Sequence, residues 1–161
     1  MRSYNGWTTS PGQAMISRKI QSFSRLPRSH RQLALRTWFL VCLVRLGLWL
    51  LPFRKLQSIC AFWGRAGNGP KNSGTSVQDI VWAVKLAARN VPQATCLVQA
   101  FATQVLLGRN GHAGQVHIGV ALDPKLGFRA HAWVESQGEV LVGGWEELDS
   151  YARLLVLDGS K

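Results

Sequence analysis

The sequence predicts an α+β domain, and three observations carry that prediction. Apolar residues recur at helical spacing through much of residues 31–107, with breaks at Pro52 and at 64–74. Strict alternation then takes over: Val116, Ile118, Val120 and Leu122 line one side of QVHIGVAL, 115–122. Two further strands are expected over 128–135 and about 139–143, joined by turn signals at DPKLG and at Gln137-Gly138. Helices thus come first and an antiparallel ribbon last.

The elements follow in order. Residues 1–25 are polar and rich in Ser, Gly and Arg, and read as a flexible basic arm with helical character from about Ala14 to Arg25. RQLALRTWFLVCLVRLGLWLLPF, 31–53, is the most apolar stretch. A spanning helix needs about 20 largely apolar residues. Arg45 falls inside this run, where a central Arg costs about 2.5–3.5 kcal/mol. Pro52, Arg54 and Lys55 end it, so a helix buried against the rest of the protein is expected. Contact with a membrane surface stays open. A short helix over 54–63 precedes the linker GRAGNGPKNSG, 64–74, which closes an N-terminal helical segment, 26–74. A core domain, 75–161, then opens with an amphipathic helix over 75–89, with Val77, Ile80, Val81, Val84 and Ala88 on one face and Asp79 at the positive end of its dipole. A second helix is expected over about 95–107, with Thr95 as N-cap, a buried stripe of Leu97, Phe101 and Val105 that Val98 can join, and Gly108 as its stop.

Charge divides the chain at the same linker. Residues 1–78 hold twelve Lys or Arg and no Asp or Glu; residues 79–161 hold seven basic and eight acidic residues. A basic half can meet nucleic acid, an anionic membrane surface or an acidic peptide. No nucleic-acid motif accompanies it: no finger spacing of Cys and His, no aromatic RNA-binding strand, no dense Lys/Arg tract. Cys42, Cys60 and Cys96 are odd in number and widely spaced, so neither a disulfide framework nor a zinc site follows. The first twenty residues lack the compact apolar core of a signal peptide, and a cytoplasmic location is expected.

Two residues stand out chemically. Cys96 follows the expected cap and begins a helix, where free amides and the dipole favour a negatively charged sulfur. Cys42 and Cys60 lie in apolar segments and read as packing residues. His131 sits in mid-strand. If DPKLG closes a hairpin with Leu122 opposite Phe128, His131 falls opposite Gly119. Phe128, Ala130, Ala132 and Val134 then face a core, and Arg129, His131, Trp133 and Glu135 face the other way. Gly119, lacking a side chain, leaves room for a helix head to approach the ring. A thiol and an imidazole in reach of each other make a nucleophile and general base. Position alone favours a small buried structural thiol at Cys96 and fits as well a sheet histidine bonded to backbone at His131.

The stretch from Arg89 to Gly144 resembles the transglutaminase-like cysteine peptidases that mature lasso peptides: the B proteins related to the microcin J25-processing protein, and specifically their peptidase part, B2. The matching residues, in order, are P..TCL at 92–97, LLGRNGH at 106–112, VHIGV at 116–120, F.AHAWVE at 128–135 and GEVLVGG at 138–144. LPRSHRQLALRTWFLVCLVRLGLWLLPFRKL, from Leu26, is similar to the apolar helical segment that precedes the peptidase core in that family. The resemblance implies a papain-like or transglutaminase-like core, with Cys96 as nucleophile and His131 as base. It implies removal of the leader from a ribosomally made precursor peptide. The implied partners are that precursor, a separate leader-binding B1 protein and an ATP-dependent lasso cyclase. No cofactor is implied, and the chain has no Gly-rich phosphate loop with which to use ATP itself.

One departure from the family pattern stands out. Many members carry an Asp on the strand after the histidine; here Gly143 occupies that place and has no side chain to orient an imidazole. Glu135 shares the His131 face but lies about 13 Å along the strand. Glu146, Glu147 and Asp149 follow the last strand and could fold back. Trp133 is expected to pack beside the site. Three rivals to the peptidase stand beside it: a non-catalytic scaffold on the same fold, suggested by the missing carboxylate; an acyl-transfer protein; and a nucleic-acid or membrane-surface module built on the basic half.

Overall fold

A computed structural model describes residues 27–66, 74–123, 127–144 and 148–158. The basic arm, most of the 64–74 linker and the centre of the DPKLG turn lie outside those residues. Four helices come first: α1 (Arg28–Leu50), α2 (Phe53–Arg65), α3 (Val77–Ala88) and α4 (Cys96–Arg109). Four strands follow: β1 (Gln115–Asp123), β2 (Gly127–Ser136), β3 (Glu139–Val142) and β4 (Ala152–Asp158). They form an antiparallel sheet in the order β3-β2-β1-β4. The α+β architecture is therefore as expected.

Pro52 divides the N-terminal helical segment. It N-caps α2 and closes α1 at Leu50, because a proline ring cannot continue the preceding helix. Ser76 starts α3 by capping reciprocally with Asp79: Asp79 N–H donates to the serine hydroxyl at 3.1 Å, and Ser76 N–H donates to the carboxylate at 3.2 Å. The Ser76 hydroxyl, which donates to the carboxylate at 2.8 Å, and then the Ser76 N–H hold the Asp79 carboxyl below its usual titration range.

Helix α4 is the centre of the molecule. Three helices pack on one side of it and the sheet on the other. It is consequently buried almost all round, from Val98 to Leu107, rather than along the single stripe of Leu97, Val98, Phe101 and Val105, and Leu97 itself is only half-buried. Its two buried polar side chains are satisfied by backbone: Thr103 donates to the Gln99 carbonyl and Gln104 to that of Leu157, each at 2.8 Å. Gly108 does not stop the helix. The chain turns at Gly111, with φ +77°, and His112 N–H reaches back to Leu107 at 2.9 Å in a Schellman closure. Gly108 instead meets Gly64 where α2 crosses α4: a Cβ there would lie 2.8 Å from the Gly64 carbonyl oxygen.

The long apolar helix α1 departs from its expectation. Ala34, Thr37, Val41 and Val44 are buried against α3 and α4, but its other side, from Leu35 and Trp38 to Trp49, is exposed. By length and composition it could cross a membrane. The sheet likewise buries only its inner half. Ala132 and Val134 join the core, whereas Phe128, opposite Leu122 at the far end, is exposed because the ribbon overhangs the helices there.

Helix propensity alone would make Gly108→Ala stabilising by about 1 kcal/mol. Contact with the Gly64 backbone reverses the sign: we expect Gly108→Ala to lose about 1–3 kcal/mol in urea denaturation.

Candidate active site

Cys96 is the first residue of α4 and is half-buried against the core. Thr95 occupies the N-cap position in an extended conformation, but its side chain makes no capping hydrogen bond, contrary to expectation. The amides of the first turn therefore receive no hydrogen bond acceptor from the capping side chain, and Cys96 stands at their head. Cys42 is half-buried against the core as Cys96 is, but lies within α1; Cys60 differs. Cys60 is buried where α2 faces α4, and burial pushes its pKa up to about 11, so it stays protonated at neutral pH.

His131 falls opposite Gly119 in the β1–β2 ladder, as the hairpin register predicted. The expected gap over Gly119 is closed, however. A Cβ there would lie 3.0 Å from the Trp133 ring and 3.1 Å from the Ala152 carbonyl, so indole and β4 take the space. Trp133 is buried between two imidazoles, with ring centroids 5.5 Å from His117 and 6.3 Å from His131 and both pairs near parallel. The His131 ring also lies 5.4 Å from that of Tyr151.

The place left empty by the missing Asp is filled by backbone. His131 Nε2 is hydrogen-bonded to the Gly143 carbonyl oxygen. Since a carbonyl only accepts, Nε2 carries the proton and Nδ1 is the basic nitrogen of the neutral ring. Gly143 has φ +118°, and a Cβ on it would lie 2.4 Å from the Trp133 Cβ. Glycine's missing side chain is thus what lets the main chain come close enough to hold the ring.

The structure brings Cys96 and His131 to the same end of the sheet without joining them. After α4 the chain reverses over Asn110–Gly114, so β1 runs back along the helix. From Gln104, bonded to Leu157, α4 rises about 12 Å to Cys96. From Val116, which pairs with Leu157, β1 covers about 10 Å to Gly119, the partner of His131. The two residues therefore stand at nearly the same height. Helix α4 packs on the Ala132 and Val134 face, while alternation places the His131 side chain on the other. No hydrogen bond links thiol and ring. The route between them is the rim of β2, since β3 pairs with β2 only from Val134 to Ser136 and His131 lies beyond its last rung.

Glu135 is occupied elsewhere. It accepts from Trp133 Nε1 at 2.8 Å and from Arg153 at 2.9 Å, and His117 lies 3.4 Å away. Glu146 and Glu147 lie outside the described residues, and Asp149 contributes its backbone to a short 3-10 turn, Leu148–Ser150. Strand β4, with Tyr151 just before it and Arg153 within it, had no place in the sequence reading, although the run ARLLVLD offered a signal. Among the described residues, no group of three His, Cys, Asp or Glu side chains could hold a metal ion.

Residues 39–156 match the family model of the transglutaminase-like superfamily, well over half of the chain. No curated protein and no solved structure matches.

Two measurements check this geometry. Iodoacetamide at neutral pH should label Cys96 and spare Cys60, read by peptide mass; labelling of Cys60 at an equal rate would contradict its burial. Gly143→Ala should cost about 2 kcal/mol in thermal or urea unfolding, since the residue needs both a positive φ and the space a methyl would fill.

Proposed function

The chain belongs to the transglutaminase-like superfamily, which includes cysteine peptidases, and on that premise we propose that it removes the leader from a ribosomally made lasso-peptide precursor. The reading is supported by the ordered motifs around Cys96 and His131. One observation carries it furthest: His131 donates from Nε2 to the Gly143 carbonyl, which leaves Nδ1 as the proton acceptor a thiol requires. A separate leader-binding B1 protein presents the precursor, and an ATP-dependent cyclase takes the product. A cytoplasmic site of action goes with that partnership.

The proposed chemistry follows from these residues. The Cys96 thiol gives its proton to His131 Nδ1 as Sγ attacks the scissile carbonyl, a step that requires the imidazole to swing past the rim of β2 to the Cys96 side of the sheet. The tetrahedral oxyanion takes hydrogen bonds from the uncapped amides at the head of α4. Collapse breaks the C–N bond, and the imidazolium proton goes to the leaving amine, which is the new N-terminus of the core peptide. Water then attacks the thioester, giving its proton to Nδ1, and the leader departs as a carboxylic acid while the thiol is restored. Throughout, the Gly143 carbonyl keeps the ring in one tautomer, the task a carboxylate performs elsewhere.

Purified protein with B1 and precursor should release a leader ending in a free acid. Cys96→Ala should abolish release, and His131→Gln should slow it at least a hundredfold with the melting temperature little changed. Cleavage by Cys96→Ala at the normal rate would remove the mechanism. An amide-linked product would assign acyl transfer instead, and full stability without turnover would assign a scaffold.

A further inference from the structure

We propose that the α1–α2 hairpin is a membrane-surface module, whose outward apolar face enters the headgroup boundary of an anionic bilayer while flanking Arg and Lys engage the lipid phosphates. Helix α1 has two apolar faces. The inner one, Ala34, Thr37, Val41 and Val44, is spent on α3 and α4. The outer one carries Leu35, Trp38, Phe39, Leu46, Trp49 and Leu50, all exposed, in steps of three, four and seven that keep them in line along the helix. Trp49 is 77% exposed. Helix α2 adds Ile59, Phe62 and Trp63, and Phe39 and Trp63 line one groove where the two helices' exposed faces adjoin.

A single exposed Leu is ordinary, but a continuous aromatic-rich face on two helices marks a surface that something covers. Charge selects what covers it. Arg36, Arg54, Lys55 and Arg65 are exposed on the same two helices, and residues 1–78 contain no acidic side chain. Tryptophan and phenylalanine beside arginine and lysine is the composition of an in-plane interfacial element. Nucleic acid would use the charge and leave the apolar face wet. Crossing the bilayer, for which α1 is long and apolar enough, would strip Thr37 and Val41 from α3 and α4 and break the hydrogen bond from Arg45 to Gln93. Lying on the surface keeps all of these.

Co-sedimentation of the full chain with lipid vesicles tests the assignment, independently of any peptidase activity. Phosphatidylcholine vesicles with about a quarter phosphatidylglycerol should bind it, pure phosphatidylcholine should bind it weakly, and raising salt from about 0.1 to about 0.5 M should release it. Trp49→Glu with Phe62→Glu should lower partitioning about tenfold with an unchanged circular dichroism spectrum. If that pair misfolds, Arg54→Glu with Lys55→Glu should still weaken binding and flatten its salt dependence, while Lys85→Glu on α3 should not. The proposal is overturned if anionic vesicles fail to bind the wild type, or if neither pair alters binding. It is also overturned if light scattering shows a dimer that the Trp49/Phe62 pair dissolves, which would give this face to a second copy of the chain.

Discussion

The main chain leaving β3 must travel from one edge of the sheet to the other, and the points where it leaves against Trp133 and arrives beside His131 govern the geometry of the candidate site. Gly143 begins that crossing and Tyr151 ends it, and both lie against the His131 ring. Two missing side chains make the path possible. Gly119 lets the indole lie flat on β1, and Gly143 lets the backbone pass against the indole's own Cβ. Burial of Trp133, the largest fully buried side chain, stabilises the arrangement by roughly 2–3 kcal/mol of transfer free energy. His131 is thereby oriented by packing and a carbonyl, where the family pattern supplies a carboxylate. A carbonyl dipole fixes the tautomer as well as a carboxylate does, but it offers less charge to an imidazolium.

The opposite face of the sheet is governed by α4. Its burial on all sides explains why its middle carries small and β-branched residues and why Thr103 and Gln104 must turn their polar atoms to backbone. Its two ends are handled differently. The C-terminal end is closed by the Schellman turn at Gly111 and is packed tightly at Gly108. The N-terminal end is left without a side-chain cap, and the one half-buried thiol of the helix sits there. Uncapped amides are a modest loss of stability, about 1 kcal/mol, and the same amides are the donors an oxyanion needs. The N-terminal hairpin α1–α2 then serves two masters: an inner face that completes the wrapping of α4 and an outer apolar face with a basic margin.

Much of this was legible in the chain. Period-two alternation and the DPKLG signal placed Leu122 opposite Phe128 and His131 opposite Gly119, because strand register follows directly from a turn and a repeat of two. The head of α4, the break at Pro52 and the division between helices and strands were equally local, since caps, prolines and periodicity act within a few residues. Tertiary structure decided the rest. That Gly119 would be filled by Trp133, that Gly143 would bind His131 through its carbonyl, and that Glu135 would be held by Arg153 all depend on a fourth strand and on a crossing between elements distant in sequence. Side-chain patterns cannot announce a hydrogen bond made by main chain. Nor could hydropathy say that only one face of α1 would be covered, because an apolar helix reads alike whether its neighbours surround it or stop halfway round.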